Sequence, residues 1–259
     1  MAQARGRGLR ALKVEASLTR RVYESLRRSI ISGQLPPGSL HSVRVLADSL
    51  GVSRTPVREA LIDLASEGMV RFERNRGVRI LQTSVHDLEE IFTLRLLLEV
   101  PATYRAARQF DAAALRALRK EFEGMERACR SRDEQGLMAH DRRFHAIILE
   151  TSGNRCLAGY VDRLRDLVLV RGVSTVGRSR TLEDIVDEHR AILERIEAAD
   201  PRGAAAAMAA HVSHTGRLIL DQEGGSGASD ESLWADVLRS WAAPTHRTKG
   251  SAEGTERRA

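Results

Sequence analysis

Apolar residues recur at helical spacing through most of the chain, and one short stretch breaks that rhythm. Between residues 18 and 31 they fall at Val22, Leu26, Ile30 and Ile31, one face of a helix. Ser32-Gly33 and the stiff turn Leu35-Pro36-Pro37-Gly38 end it. Residues 42–50 predict a short amphipathic helix with Val45, Leu46 and Leu50 inward. A second helix follows Gly51. Ser53 or Thr55 can cap it, and Pro56 is tolerated in a first turn, where its missing N–H had no partner. Its buried stripe is Val57, Ala60, Leu61 and Leu64, and Gly68 stops it. The period then shortens. Residues 69–72 and 78–81 read as two β runs joined by Glu73-Arg74-Asn75-Arg76-Gly77, a hairpin with a basic tip. Helix, turn, helix, helix and hairpin, in that order, make a winged helix-turn-helix.

Past Gln82 the strand signals stop. Helices are expected near 84–108, 111–131, 133–151, 155–174, 181–199 and 201–221. Ser84 with Asp87 and Thr181 with Asp184 have capping-box spacing, and Asp111 and Asp133 suit N-caps. Pro101 should kink or break the first of these helices, and Asp200-Pro201 opens the last. The fold class expected is mainly α: a winged helix-turn-helix followed by an all-α bundle of six or seven helices. The domains read as a basic arm over 1–16, the winged domain over 17–82, the bundle over 84–221, and a tail over 222–259. That tail has a Gly/Ser-rich linker, then Leu233, Trp234, Val237, Leu238 and Trp241 at helical spacing, then a polar end.

Charge divides the chain at the same place. Residues 1–84 hold 15 Lys/Arg against 7 Asp/Glu, whereas residues 85–259 hold 26 against 28. A basic front third calls for a polyanion partner. Arg54 and Arg58 are four apart, so they share a face near the helix start, with Thr55 beside them. That spacing suits base edges in a major groove and equally a solvated helix face. The preceding helix and the basic wing favour DNA. Cys129 and Cys156 lack metal or redox spacing and are expected as buried thiols in a reducing compartment. The N-terminus has no apolar run of signal-peptide kind, and no segment approaches the roughly 20 apolar residues of a membrane span. A cytoplasmic protein is the expectation.

The bundle carries its own chemistry. Asp141 and His145 are four apart on one helix, His189 lies on another, and His211 on the last. One carboxylate and three imidazoles on three helices can converge in a bundle core and bind a divalent metal. The chain has eight histidines, and each singly could equally be a surface or satisfied core residue. His140 and His214 are read as outside the ligand set. Arg95 stands on a Leu- and Ile-rich face, where an unpaired charge would be costly. It either pairs with Glu99 or clamps a ligand carboxylate. Asn154 is read first as a turn residue and second as a pocket residue, and Arg163 and Arg165 first as a solvated face and second as approaching the pocket. A metal-dependent enzyme built on the same four residues is the alternative, although no general-base or nucleophile motif stands beside them.

The motifs carry two resemblances. GQLPPGSL, LADSLGVSRTPVREALIDLASEGMV and NRGVRI resemble the DNA-binding domain of the GntR family of bacterial transcription regulators, from about residue 18 to 81. The resemblance implies DNA contacts from Arg44, Ser53, Arg54, Thr55 and Arg58, and from Arg76 and Gly77 in the wing. This chain has Ser-Val-Arg where many members show Ser-Glu-Arg, with the arginine kept. DRRFH, EHRAIL, EAADP and AAMAAH resemble the FCD ligand-binding domain of FadR-type members over about 85–221. It implies that Asp141, His145, His189 and His211 hold a metal (Zn, Ni, Mn or Fe) that helps bind a small carboxylate effector. Arg95 and Asn154 match effector-binding positions. The expected protein is not an enzyme but a ligand-responsive transcription factor, a repressor as is usual in the family. It would bind a pseudo-palindromic operator as a homodimer.

Overall fold

The computed structural model describes residues 18–224. The basic arm and the Trp-containing tail lie outside the described residues. The chain opens with α1 (Leu18–Ile31), β1 (Leu40–His41), α2 (Val43–Leu50), α3 (Arg54–Ser66), β2 (Val70–Glu73) and β3 (Gly77–Ile80). Six helices follow: α4 (Val85–Ala107), α5 (Ala112–Arg130), α6 (Glu134–Thr151), α7 (Leu157–Val170), α8 (Leu182–Glu197) and α9 (Pro201–Gln222). The mainly α class with a small β wing is thus the fold observed.

In the front part, Val57, Ala60, Leu61 and Leu64 of α3 are buried with Val22, Leu26 and Ile30 of α1. Val45 departs from expectation: it is exposed, and α2 buries Ala47 beside the expected Leu46. With only eight residues, α2 presents a narrow stripe to α3, and Val45 falls off it. The hairpin gains a third strand that apolar pattern did not announce. The sheet order is β1-β3-β2, all antiparallel, with Leu40 opposite Arg79 and His41 opposite Val78. Two residues are too short for a period-2 signal to be read. This strand explains Gly77. A Cβ there would lie 2.2 Å from the His41 carbonyl oxygen, and its φ of 126° disfavours any side chain.

In the bundle both capping boxes form, at Ser84/Asp87 and Thr181/Asp184, and Asp111, Asp133 and Asp200 accept from the first turns of α5, α6 and α9. Pro101 does not break α4, which runs on to Ala107. The neighbouring Leu97 is exposed, so that part of the helix faces water, which can serve a carbonyl lacking its usual partner. α7 is shorter than expected and ends at Val170, with Gly172 in a left-handed conformation just beyond. Cys129 is buried, but Cys156 is exposed where the chain enters α7. The bundle core gathers Phe92, Leu96, Leu118, Met125, Phe144, Ile192 and Met208. The front core and the bundle meet at α7, whose Val170 belongs to the front cluster and whose Leu167 packs on both. Thr83 donates to the Leu167 carbonyl at 2.7 Å and so ties the connecting segment to the same helix. Among the described residues no helix is long and apolar enough to cross a membrane.

Candidate DNA-reading head and buried histidine site

The head presents its polar residues on one exposed edge. Arg54, Thr55 and Arg58 all point away from the buried stripe of α3. Ser53 stands at the N-cap position of that helix, but its hydroxyl makes no capping bond. The first amides of α3 therefore keep their partial positive charge for an outside acceptor, beside two guanidinium groups. Ser42 does cap α2, accepting from the Val45 amide at 3.1 Å, and places Arg44 in the first turn, exposed and only loosely paired with Asp48 at 3.7 Å. Asn75 takes the left-handed conformation at the wing tip, and Arg74 and Arg76 flank it in solvent. Arg76 lies 3.2 Å from Glu73, which also engages Arg79.

The four residues singled out in the bundle do converge. Asp141, His145, His189 and His211 are all buried, and one candidate donor atom from each lies within 4.8 Å of all the others. His189 Nε2 is 2.8 Å from Asp141 Oδ1 and 3.2 Å from His145 Nε2. The far side of every ring is engaged as well. His145 Nδ1 meets Glu99 Oε2 at 2.5 Å, His189 Nδ1 meets the Ile185 carbonyl at 2.8 Å, and His211 Nδ1 meets Glu188 Oε2 at 2.7 Å. An imidazole that donates from Nδ1 to a carboxylate or carbonyl turns a lone pair on Nε2 toward the centre. Such orientation is what a cation site requires of its ligands, so the donor set fits a divalent metal.

The surrounding charges are paired. Arg95 donates to Glu99 Oε1 at 2.7 Å, which is the pairing alternative raised by the sequence. Burial would raise the Glu99 carboxyl, but Arg95 and His145 hold it well below the usual carboxylate range. Arg180, from the loop before α8, donates to Glu188 at 2.8 Å, and His214 reaches the same carboxylate. His140 is bonded to Glu121 and stands apart from the cluster.

Arg165 is not on a solvated face. Its side chain is 12% exposed and engages Asp141, and among the described residues its Nη1 has no hydrogen-bond partner. A cavity of about 230 Å³ opens beside it, lined among others by Arg142, His145, Leu149, Val161 and Asp162. Asn154 is not part of that wall. It is exposed, and its Oδ1 accepts from the Cys156 amide at 3.0 Å, a turn role. Arg163 lies over the Tyr160 ring instead. Sequence reading thus missed Arg142 and Arg180 as neighbours of the histidines and put the approach of Arg165 to the pocket second. Arginine after arginine along these helices carries no mark of which ones turn inward.

Burial lowers His189 and His211 well below 6.5, with nearby imidazoles adding to the effect. Unfolded, both return to ordinary histidine values near 6.5. The unfolded chain therefore binds more protons as the pH drops below about 6.5, and folded stability present above that value is lost as pH falls toward the lowered values. Chelator-treated protein is expected to show a falling thermal midpoint between about pH 7.5 and about pH 5.5. A flat profile would mean that these rings sit in water.

Comparison with known proteins completes the picture. Residues 18–80 match the bacterial regulatory proteins of the gntR family, and residues 90–214 match the FCD domain. The chain is 30% identical over 184 residues to a probable D-xylose utilization operon transcriptional repressor of Paenarthrobacter nicotinovorans, covering 71% of this chain and 80% of that one. It is 28% identical over 191 residues to the gluconate operon transcriptional repressor of Bacillus subtilis, covering 72% of this chain and 78% of that one. Escherichia coli McbR/YncC superposes with a TM-score of 0.70 at 23% identity, covering 80% of this chain and 99% of the other, a likeness of fold. This chain belongs to the GntR family, with an FCD domain behind its reading head, and is a DNA-binding transcriptional regulator.

Proposed function

We propose that the protein is a repressor that binds a pseudo-palindromic operator as a homodimer. A small carboxylate metabolite, held at a metal site in the bundle, would release it. The working division is a reading head over 17–82 and an effector-binding part over 84–221. One head offers few base contacts, and two related by a two-fold axis supply the specificity a genome demands. Arg54 and Arg58 read guanine edges. Arg44, Ser53, Thr55, Arg76 and the wing backbone at Gly77 place the head on phosphates and the minor groove.

Asp141, His145, His189 and His211 would hold the ion, whose charge supplies an anchor for a carboxylate oxygen when bound. The observation that carries this reading is the orientation of the three imidazoles, each with Nδ1 engaged and Nε2 inward. Arg165, which lines the cavity and whose Nη1 has no partner among the described residues, is a second anchor for the effector. Arg95 acts through Glu99, keeping His145 in its orientation. At about 230 Å³ the cavity is below the roughly 300–1,000 Å³ of drug-sized pockets and suits a small acid. The relatives and the matched families are transcriptional regulators, not enzymes.

A thermal-shift screen of metal-loaded protein against lactate, malate, citrate and gluconate, with and without chelator, tests this. At least one acid should raise the midpoint only with metal present and should weaken operator binding. No stabilisation by any acid in the metal-loaded protein would count against the effector reading.

A further inference from the structure

Helix α7 touches both the cavity and the reading head. Asp162 and Arg165 of α7 line the cavity with Arg142 and His145 of α6, while Val170 at its far end sits in the head's apolar cluster. Between these ends lies a ring of four charges. Arg27 of α1 donates to Asp166 Oδ2 and, at 3.0 Å, to Asp162 Oδ2. Arg142 takes the other oxygen of each carboxylate, Asp166 Oδ1 at 2.6 Å and Asp162 Oδ1 at 2.8 Å. The Asp166 side chain is 1% exposed.

Two cations that share two carboxylates repel one another, so each weakens the other's hold. In a part-buried ring this repulsion escapes most of the screening that water and salt impose on surface charges. If Arg142 is drawn away, both carboxylates face Arg27 alone. Undocking the head would then leave two negative charges without a cation, one of them on buried Asp166, a costly state.

We propose that Arg27 and Arg142 compete for Asp162 and Asp166, so that a carboxylate entering the adjoining cavity, by engaging Arg142, clamps the reading head against α7. The ligand half of this inference rests on the effector site proposed above; the competition itself does not. It assigns Arg142 as a positioning residue. It also gives a physical route by which a small acid could deny the two heads the freedom to fit operator half-sites, since a ligand shifts only an equilibrium in which it favours one state.

Hydrogen exchange of the full chain, with no ligand added, decides the competition. Arg142→Gln keeps an amide donor but removes the charge. It is expected to slow exchange of the α1 amides around Arg27 by about threefold or more. Asp166→Asn should speed the same amides by a similar factor. Arg143→Gln, which alters an exposed neighbour paired with Glu121, should leave them unchanged. Wild-type or faster exchange in Arg142→Gln would overturn the proposal, as would an unaffected Asp166→Asn or an Arg143→Gln that mimics Arg142→Gln. Any acid that raises the midpoint in the screen above must also slow these amides in the wild type and not in Arg142→Gln. A stabilising acid that leaves α1 exchange untouched would sink the ligand half. If no acid stabilises, the effector reading fails while the variants still decide the competition.

Discussion

His189→Ala is expected to strip the bundle of bound divalent metal while operator binding in the absence of effector stays largely intact. His189 is completely buried and lies between Asp141 and His145, so its imidazole is the central member of the cluster. Loss of residues that merely orient a metal ligand typically costs about 10- to 100-fold in affinity. Loss of the ligand itself should reach or exceed the upper end of that range. Elemental analysis after dialysis, and calorimetric titration with Zn, Ni and Mn, measure it. The truncation also leaves a small void beside Phe144, which packs edge-on against the ring. A stability loss of about 1–3 kcal/mol should therefore accompany the metal loss. Circular dichroism separates the two effects. A variant that fails to fold would make the cluster chiefly structural. One that folds and keeps full metal affinity would remove His189 from the ligand set.

The second large effect is expected at the other end of the molecule. Arg58→Ala should weaken specific operator binding far more than binding to unrelated DNA. Arg58 is exposed on α3, one turn from Arg54, and carries no part of the head's core. Its removal should leave the fold intact. A bidentate arginine–guanine pair discriminates against other bases by about 1–3 kcal/mol, or roughly 5- to 150-fold per half-site. A dimer loses two such pairs. Competition binding at fixed salt, against operator and against scrambled duplex, reads the difference. Equal losses on both, with a shallower salt dependence, would reassign Arg58 to a phosphate.

Much of this was legible because the signals are local. The stripe Val57, Ala60, Leu61, Leu64 declares a helix by spacing alone, and the capping boxes at Ser84 and Thr181 mark starts within a residue or two. The Asp141/His145 pair announces a shared face for the same reason, that positions four apart on a helix are neighbours. Where expectation missed, the deciding contact was remote in sequence. β1 is defined by its partner β3, with Leu40 opposite Arg79 far along the chain, and Gly77 owes its identity to the carbonyl of His41. Pro101 would end an isolated helix, yet α4 continues, because packing of its long buried face outweighs one missing bond. Asn154, by contrast, accepts from the Cys156 amide two positions on, the turn role its sequence setting suggested first.

By itself, then, the sequence determined the periodicities, the caps, the basic front, and which residue types could bind DNA or metal. Each of these depends on neighbours within a turn or two of helix, or on summed charge. Only the tertiary structure decided which charges are partners. Arg95 faces Glu99 rather than open space, Arg165 turns in toward Asp141, and Arg27 and Arg142 share one pair of carboxylates through different oxygens. Long arginine side chains reach solvent and interior about equally well from the same helical position. Their choice is therefore settled by which carboxylate the packing of other helices brings within a few ångströms, since a buried charge left alone is too costly to persist.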